Sequence, residues 1–325
     1  GHRQAKRRVL DHLMAQRLVI VDCDPGQDDA VALLMALASP ESLKVLGITC
    51  VAGNVPLELT QRNARRICEL AGQPDLPVFA GCPRPMLLSL TTAEAVHGKT
   101  GLDGSGLPEP TMALQDRHAV DFIIDTCLSA GDGEITICTL GPMTNLAVAF
   151  VKAPQIAGKI KEIVFMGGAA LGPGNRTPAA EFNIATDPHA AQVVMEAGPP
   201  LVMFGLDVTH RVITTPARLD AITRIGSPVS EAVTGMLTFY DRNDPDRYGE
   251  RGGPLHDPCV IAWLLQPDLF RGKQVHLSVE TGSPLTMGQT VADWWGVTGK
   301  GPNATIMDRA DSDGFYSLVV DRLSR

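Results

Sequence analysis

The most constraining feature of the chain is an acidic motif near its start, Asp-Cys-Asp-Pro-Gly-Gln-Asp-Asp-Ala at residues 22–30. An apolar run precedes it at residues 18–21, and residues 30–38 continue with apolar side chains at helical spacing. The pattern predicts a buried strand, a tight Pro-Gly turn and the start of a helix. Four carboxylates therefore lie at the carboxyl end of a strand, which is where open α/β sheets bind ligands.

These carboxylates predict a cation site. Four negative charges so close together would repel one another strongly in a partly dry site, and a bound divalent cation would remove that repulsion. Ligands that are all oxygen suit Ca²⁺ or Mg²⁺. Asp28 and Asp29 alone would be explained equally well by the first turn of a helix, where the macrodipole favours acids. Asp24, immediately before Pro25 and Gly26, favours the metal interpretation.

Composition narrows the classes of function. The chain has 325 residues, 44% of them hydrophobic, and a net charge of −8, so a large core is available and nucleic acid is not expected as a main partner. Its seven cysteines are scattered, and none is paired at Cys-x-x-Cys spacing. This predicts reduced core thiols in a cytoplasmic protein and no zinc site. No apolar run reaches the length that spans a bilayer, so no membrane partner is expected.

The first 16 residues differ from the rest. Gly1-His2 is typical of a tag remnant, and a short basic cluster follows at residues 3–8. The segment could be an amphipathic targeting sequence, but we interpret residues 1–16 as a basic leader or tag remnant that is disordered. No internal repeat or low-complexity linker interrupts the remainder, so residues 17–325 are predicted to form a single domain.

Strand and helix signals alternate along most of the chain. Apolar strand patterns occur at residues 43–49, 78–81, 135–140, 160–166 and 201–205, and near 316–320. Helical spacing occurs at residues 57–71, 116–129, 216–225 and 229–241. The alternation predicts an α/β fold with an open, mostly parallel central sheet and helices on both faces, a Rossmann-like arrangement.

Further polar residues follow the predicted strands. Asn54 comes after the second strand, and the loop after Met166 carries Asn175, Glu181 and Asn183. Glu181 and Asn183 are two residues apart, so in an extended segment they would share a face and could grip adjacent hydroxyls of a sugar. Each of these polar residues could instead be an ordinary turn or loop residue in contact with solvent.

Two histidines stand in distinctive contexts. His97 begins a glycine-rich stretch that lacks the spacing of a P-loop, and we interpret that stretch as a mobile, lid-like loop. His256 begins a His-Asp-Pro sequence before an apolar run, where Asp257 would cap a buried helix and Pro258 would occupy its first position. Capping and metal ligation are compatible for Asp257.

The motif at residues 22–30 resembles the N-terminal signature of the inosine-uridine-preferring nucleoside hydrolases, and the resemblance continues through nearly the whole chain. It includes the His-Gly-x-x-Gly-Leu pattern that begins at His97, the Glu-Phe-Asn triplet at residues 181–183 and the His-Asp-Pro sequence at residues 256–258. The resemblance implies the nucleoside hydrolase fold. It also implies a calcium-dependent reaction that splits the N-ribosyl bond of ribonucleosides into free base and ribose.

The resemblance also implies roles for individual residues. The calcium ligands would be Asp24, Asp29, Asp257 and the main-chain carbonyl of Leu140. Asp24 would also act as the general base, and His256 would protonate the departing base with assistance from His97. Asp28 would accept a hydrogen bond from the ribose 2′-hydroxyl, and Tyr248 would reach toward the base. Asn54 would hydrogen-bond to the ribose or the attacking water, and Met166 would line the same pocket. The remaining substrate contacts would be Asn175, Glu181 and Asn183.

These residue types suit the chemistry. Hydrolysis of an N-ribosyl bond passes through an oxocarbenium-like sugar, as glycoside hydrolysis does. A calcium ion would orient the attacking water, lower its pKa and hold the 2′- and 3′-hydroxyls. Histidine suits the acid role because its ordinary pKa lies near neutrality.

Two alternative functions remain open from the sequence. An aspartyl-nucleophile phosphatase also begins with Asp-x-Asp after a first strand, but Gly26 stands where that class usually has Thr or Val. Such an enzyme would release phosphate rather than base and ribose. A calcium-dependent nucleoside-binding protein would bind the same ligand without turnover.

The expected base preference and oligomeric state rest on the resemblance alone. The two histidines, His97 and His256, resemble those of members that accept pyrimidine ribosides such as uridine, some of which also take inosine. Relatives of this kind are mostly dimers or tetramers, so a homo-dimer or homo-tetramer is expected.

Overall fold

A nine-stranded mixed sheet forms the centre of the structure, a computed structural model that describes residues 16–241 and 244–325. In chain order the strands are β1 (Arg17–Cys23), β2 (Leu43–Cys50), β3 (Val78–Ala80), β4 (Ile135–Thr139), β5 (Ile160–Met166), β6 (Leu201–Phe204), β7 (Ile213–Thr214), β8 (Gly253–Pro254), β9 (Phe270–Val279), β10 (Thr290–Asp293) and β11 (Ala304–Ala310). The sheet has the order β10-β9-β11-β6-β5-β4-β1-β2-β3, and β7 and β8 pair separately.

The strand order creates a crevice at one edge of the sheet. All neighbours from β3 to β11 pair in parallel, whereas β9 is antiparallel to both β10 and β11. The chain proceeds from β1 to β2 and β3 on one side, and later places β4, β5 and β6 on the other. Ligands bind outside the carboxyl ends of strands at such a switch point. The acidic motif follows β1 and Leu140 follows β4, so both reach this point.

Helices cover both faces of the sheet, as predicted. They are α1 (Gln27–Leu37), α2 (Leu57–Leu70), α3 (Glu94–His97), α4 (Ala119–Leu128), α5 (Thr144–Lys152), α6 (Phe182–Thr186), α7 (Pro188–Met195), α8 (Leu206–Thr209), α9 (Pro216–Thr223), α10 (Pro228–Phe239), α11 (Pro245–Tyr248), α12 (Pro258–Leu265) and α13 (Ser312–Leu323). Short 3₁₀ helices occur at Pro154–Lys159 and Pro267–Leu269.

Two apolar clusters form the core, one on each face of the sheet. Val21 belongs to the cluster that includes α1 and α12, whereas its neighbour Ile20 belongs to the cluster that includes Ile123 and Leu146. Successive residues of β1 therefore point to opposite faces, as the pleat requires. Every residue of α1 is buried, so the helix that carries Asp28 and Asp29 is a core element.

The final strand predicted near residues 316–320 is wrong, because these residues lie in α13. Its buried residues are Phe315, Tyr316, Leu318, Val319 and Leu323. The separations of three and four within this set (315 to 318, 316 to 319 and 319 to 323) are the period of a helix rather than of a strand. Asp311 caps the helix by accepting a hydrogen bond from the Gly314 N–H at 3.0 Å. The last strand is β11, immediately before this cap.

The predicted leader, residues 1–16, lies outside the described residues except for Gln16. Within the described ranges, no helix combines the length and apolarity that crossing a membrane would require.

Candidate active site

A cavity of about 210 Å³ opens among the segments that follow β1, β2, β4 and β5. The predicted site residues in its wall are Asp28, Asn54, His97, Leu140, Met166, Asn175, Glu181, Asn183, His256 and Asp257. Asp24 and Asp29 are fully buried and adjoin these residues. The switch point of the sheet therefore gathers residues from well-separated parts of the chain.

Four buried carboxylates meet beside the cavity. Oxygen atoms of Asp28, Asp29 and Asp257 lie within 4.8 Å of one another, although Asp257 is 229 positions beyond Asp28 in the chain. Asp24 joins them through Asp29, whose Oδ1 accepts a hydrogen bond from the main-chain N–H of Asp24 at 3.2 Å. The structure thus brings the acidic motif and the His-Asp-Pro sequence together.

Burial and mutual repulsion raise the pKa of these carboxyls. The pKa of Asp28 is raised to about 7, first by burial and then by the charge of Asp29. Burial raises the pKa of Asp24 and of Asp257 well above the ordinary range, and the neighbouring carboxylates add to the effect. These directions indicate that the charged forms are unfavourable here without a counter-charge.

The carboxylates fit a divalent cation. Asp24 Oδ1 and Asp257 Oδ2 are buried and have no hydrogen-bond partner among the described residues. An ionised oxygen left in this state is costly unless a ligand pairs with it. Because the available donors are all oxygen atoms, they suit a hard cation such as Ca²⁺ or Mg²⁺. The protein therefore has a buried acidic cluster with the chemistry of a metal site.

Two glycines leave room for the Asp24 carboxylate. A Cβ atom on Gly141 would come 2.5 Å from Asp24 Oδ1, and one on Gly53 would overlap Asp24 Oδ2. Carbon and oxygen atoms do not approach so closely, so a larger residue at either position would displace the carboxylate. The main-chain N–H of Asn54 donates to Asp24 Oδ2 at 2.8 Å. One oxygen is thus fixed by the protein, and the other is available to a ligand.

The part of the cavity wall next to the four carboxylates is called the acidic side below. Two of the amides predicted to bind the sugar, those of Asn54 and Asn183, hold this side together. Asn54 Nδ2 donates to the main-chain oxygen of Asp24 at 2.9 Å. Asn183 Nδ2 donates to the main-chain oxygens of Leu140 and Met166, each at 3.0 Å. The Leu140 carbonyl, a predicted metal ligand, is therefore oriented by Asn183, and the ends of β4 and β5 are tied together.

Glu181 and Asn183 reach the cavity from the start of a helix, and not from an extended segment in which they would share a face. Glu181 is the N-cap of α6, and its carboxylate accepts from the main-chain N–H groups of Asn183 at 2.8 Å and Gly168 at 2.9 Å. Burial raises the pKa of Glu181 to about 7. Asn175 is tied to the same turn, since its Oδ1 accepts from the Phe182 N–H at 2.9 Å. A capping turn, not a strand face, brings these residues together.

His97 is buried at the end of α3 rather than exposed in a loop. Gln27 Nε2 donates to the main-chain oxygen of His97 at 2.9 Å, and Gln27 Oε1 lies 2.6 Å from the ring Nδ1. The imidazole stacks on Tyr240, with 5.5 Å between ring centres. Gln27 belongs to the acidic motif, so the motif also positions His97, a role that sequence reasoning missed.

Asp257 precedes α12 but does not cap it through its side chain. Its carboxylate turns into the acidic cluster instead. Pro258 does begin the helix, as predicted. The same turn carries His256 into the cavity wall, so one short segment contributes both an acid and a histidine.

His256 is held by residues outside the cavity. Its Nδ1 lies 2.7 Å from Thr209 Oγ1, and the ring of His210 packs against it at 5.6 Å between centres. Burial lowers the pKa of His256 well below its ordinary value, and the positive charges of His210, His97 and Arg247 act in the same direction. A protonated His256 would therefore be a stronger acid than ordinary imidazolium.

The structure does not bring Tyr248 to the cavity wall. Tyr248 packs edge-on against His210, with 5.1 Å between ring centres, and so lies one ring behind His256. Tyr240 lines the cavity instead. The sequence offered no signal to choose between the two tyrosines, because both lie in the stretch around the predicted helix end and its polar loop.

Comparisons with known proteins agree with this arrangement. The family model described as inosine-uridine preferring nucleoside hydrolase matches residues 19–317. The pyrimidine-specific ribonucleoside hydrolase RihA of Salmonella agona is 46% identical over 94% of this chain and 97% of its own. An uncharacterized protein of Schizosaccharomyces pombe is 48% identical over 94% of this chain and 99% of its own.

Solved structures of nucleoside hydrolases have the same fold as this chain. A plant nucleoside hydrolase, PpNRh1, superimposes with a TM-score of 0.86 at 32% identity and covers 95% of this chain and 99% of its own. A purine-preferring ribonucleoside hydrolase from Gardnerella vaginalis has a TM-score of 0.86 at 31% identity and covers 95% and 98% of the two chains.

The fold, the acidic cavity and these similarities together define an N-ribosyl hydrolase, an enzyme of the glycosidase class that cleaves ribonucleosides. The family model spans most of the chain, from β1 into α13. The chain belongs to the inosine-uridine preferring nucleoside hydrolase family.

Proposed function

We propose that the enzyme is a Ca²⁺-dependent ribonucleoside hydrolase that prefers pyrimidine ribosides. The observation that carries the proposal is the pair of unpartnered, buried oxygens of Asp24 and Asp257 beside a cavity whose wall contains His97 and His256. The two carboxylate oxygens support the binding of a cation and of an attacking water. The two histidines support protonation of the departing base.

The proposed ligands of the cation are Asp24, Asp29, Asp257 and the carbonyl of Leu140. When bound, calcium would supply charge that favours deprotonation of a water and binding of the ribose diol. Asn183 already holds the Leu140 carbonyl at 3.0 Å, and the Asn54 N–H holds one oxygen of Asp24. These contacts support ligands that are positioned before a metal arrives.

The ribose is proposed to lie against the acidic side of the cavity. Asp28 would accept a hydrogen bond from the 2′-hydroxyl, while Asn54, Asn175, Glu181 and Asn183 would surround the sugar and Met166 would pack beneath it. Since Glu181 and Asn183 already share a capping turn, they would bind hydroxyls as one rigid unit. Fixed partners of this kind contribute to rate by orienting the reacting groups.

Asp24 is proposed as the general base. It would take a proton from the attacking water as the C1′–N bond breaks and the sugar gains oxocarbenium character. Nearby carboxylates would favour that developing positive charge. The two glycines that surround Asp24 support a single, fixed position for its carboxylate.

His256 is proposed to protonate the departing base, with His97 as its assistant. The low pKa of His256 would make its proton rare but readily donated. Tyr240 stacks on His97 in the cavity wall and is proposed to contact the base. Tyr248 is proposed to act indirectly, through its contact with His210.

The pyrimidine preference rests on similarity. The RihA relative named pyrimidine-specific is 46% identical over most of the chain, whereas the purine-preferring structure is 31% identical. We extend the proposal to a cytoplasmic location, supported by seven cysteines that form no disulfide. A homo-oligomer is also proposed, and Trp295 and Val297, which are 83% and 85% exposed beside β10, are apolar groups that its interface would cover.

The proposal is tested by measuring ribose release from uridine, cytidine, inosine, adenosine and 2′-deoxyuridine. Protein stripped with a chelator would be assayed alone and after addition of Ca²⁺ or Mg²⁺. We expect uridine to be cleaved fastest, calcium to restore the rate, and the deoxyriboside to react slowly because Asp28 and the cation lose a partner. A metal-loaded enzyme that cleaves none of the ribosides would overturn the proposal.

A further inference from the structure

Thr209 occupies an unusual position behind the cavity wall. It is fully buried, and its Oγ1 lies 2.7 Å from Nδ1 of His256. Among the described residues, this is the one hydrogen bond of the His256 ring. Because Nδ1 faces Thr209, Nε2 is the ring nitrogen left for the cavity.

The turn that carries Thr209 is held firmly. Asp207, two residues earlier, accepts hydrogen bonds from the main-chain N–H groups of Ala170, Leu171 and Gly172 at 2.8, 3.0 and 3.1 Å. A side-chain carboxylate with three such donors has little freedom to move. α8 is therefore fastened to the loop after β5, the same loop that carries Asn175 and Glu181.

A second contact fixes the start of α8. The Leu206 N–H donates to the main-chain oxygen of Gly168 at 2.9 Å. A Cβ atom on Gly205 would come 2.7 Å from that oxygen, so the two backbone segments are packed as closely as glycine allows. The hydroxyl of Thr209 is thus delivered to His256 from a rigid turn.

We infer that Thr209 is a positioning residue for the acid step: its hydroxyl holds Nδ1 so that Nε2 of His256 faces the departing base. The inference rests on the proposed acid role of His256. A hydroxyl can both donate and accept, so the contact survives whether or not Nδ1 carries hydrogen. The nitrogen that a histidine presents to its partner is set by the bond its other nitrogen makes.

The proton balance of this step is simple. In the acid form of the ring both nitrogens carry hydrogen, and Nδ1–H donates to Thr209 Oγ1. As the C1′–N bond breaks, its electron pair goes to the base and the proton on Nε2 transfers to the base. The ring that remains is neutral, and its Nδ1–H still donates to Thr209. The hydroxyl neither gains nor loses a proton overall.

The test compares two leaving groups on the same enzyme sample. Uridine needs a proton on its departing base, whereas 4-nitrophenyl β-riboside releases a stable phenolate that needs none. The ratio of the two kcat values is independent of the amount of folded enzyme. Thr209→Val removes the hydroxyl at nearly constant volume, and Thr209→Ser keeps it.

We expect Thr209→Val to lower kcat for uridine about 10- to 100-fold, part of the factor of about 10²–10⁴ that a positioned acid supplies. KM should stay within about twofold, and kcat for the nitrophenyl riboside should stay within about threefold. Thr209→Ser should restore the ratio of the two kcat values. If Thr209→Val yields no folded protein, Thr209→Ala provides the same comparison.

A matched control is Thr60→Val. Thr60 is also fully buried, and its hydroxyl donates to the main-chain oxygen of Leu57 at 3.1 Å rather than to a histidine. Its ratio of rates should equal that of the wild type. Equal losses on both substrates in Thr209→Val, or an unchanged rate on uridine, would overturn the inference.

His256→Ala separates this inference from the function on which it rests. If His256→Ala lowers the uridine rate selectively and Thr209→Val does not, the positioning role of Thr209 is wrong while the acid role of His256 stands. If His256→Ala itself leaves the ratio unchanged, the acid role fails, and the inference about Thr209 fails with it.

Discussion

The acidic side of the cavity and its base side are built in different ways. On the acidic side, Asp24 and Asp29 come from one contiguous motif that runs from the end of β1 into the fully buried α1. On the base side, His97, Tyr240 and His256 come from three distant segments. The rings of His97 and Tyr240 stack on each other, and the ring of His256 is held by Thr209. The motif alone therefore fixes two of the proposed cation ligands, whereas base recognition depends on packing between buried segments that are distant in the chain.

The largest expected effect is on the acidic side. Asp24→Ala should lower kcat/KM for uridine by about 10³- to 10⁴-fold, since it removes the proposed base and one metal ligand. Calcium binding measured by calorimetry should weaken in the same variant. Because the buried carboxyl of Asp24 is repelled by its neighbours, the metal-free variant should unfold at a higher temperature than the metal-free wild type.

Asp132→Ala is the control for this loss. Asp132 has an exposed side chain that pairs with Lys159 at 3.0 Å, and an exposed pair of this kind contributes little. Activity and calcium affinity should be unchanged in it. If Asp24→Ala cleaves uridine at a rate within tenfold of the wild type, the roles of Asp24 as general base and metal ligand are wrong.

A second effect should appear as pH-dependent stability of the metal-free protein. The carboxyls of the cluster have raised pKa values in the folded state, about 7 for Asp28, against about 3.9 in an unfolded chain. The folded state therefore binds more protons, and stability from these groups is present below pH 4 and is lost as pH rises through the folded values. We expect the free energy of unfolding to fall between pH 6.5 and 8.5, by at most about 3 kcal/mol (two pH units at 1.36 kcal/mol each) for each carboxyl that stays protonated in the folded state across this window.

Urea unfolding with a chelator, at several pH values in that window, measures this loss, and added calcium should remove most of it. The window starts at pH 6.5 because of His210 and His256, whose pKa values are lowered in the folded state. These histidines make the protein more stable as pH rises toward the ordinary histidine pKa, and most of that gain is reached by pH 6.5. A chelated protein that becomes more stable between pH 6.5 and 8.5 would contradict the raised values.

A third, smaller effect tests the link between the two sides. Gln27→Met should lower kcat for uridine about tenfold, because His97 would lose both of its contacts with the Gln27 amide while the acids remain. Calcium affinity, measured in parallel, should change by less than about twofold. If calcium affinity falls as far as the rate, the two sides are less separate than the comparison holds.

The smallest effect distinguishes the two tyrosines. Tyr240 lines the cavity and Tyr248 does not, so Tyr240→Ala should raise KM for uridine about five- to tenfold, as lost stacking on one base would. Tyr248→Ala should change KM by about twofold or less, since its ring packs against His210 and does not line the cavity. Steady-state kinetics of both variants provides the comparison, and a larger effect at Tyr248 would show that its segment closes over the base.

The same contrast explains how much the sequence could predict. The strand, turn and helix at residues 18–38 were readable because apolar periodicity and Pro-Gly chemistry act locally. Asp187 caps α7 and Pro188 begins it, as in any helix start of this type. The carboxyl ends of parallel strands meet by topology, so polar residues after β1, β4 and β5 could be expected at one place.

The remaining features depend on tertiary packing. Nothing local distinguishes Tyr240 from Tyr248, and nothing in Thr209 indicates that it meets His256, 47 positions later in the chain. The Glu-Phe-Asn triplet does lie in the cavity wall, but its conformation could not be predicted locally, because the capping side chain of Glu181 makes it the start of a helix. The error at α13 had a different source, since β-branched Val319 and Val320 suggested a strand while the burial period was helical.

The amide of Gln27 uses both of its atoms on His97, while the next two residues of the same helix are members of the acidic cluster. Replacing the loop around His97 in order to change the base preference would therefore also remove contacts to the helix that carries Asp28 and Asp29. Such a replacement would have to retain an amide at position 27 or bring its own anchor.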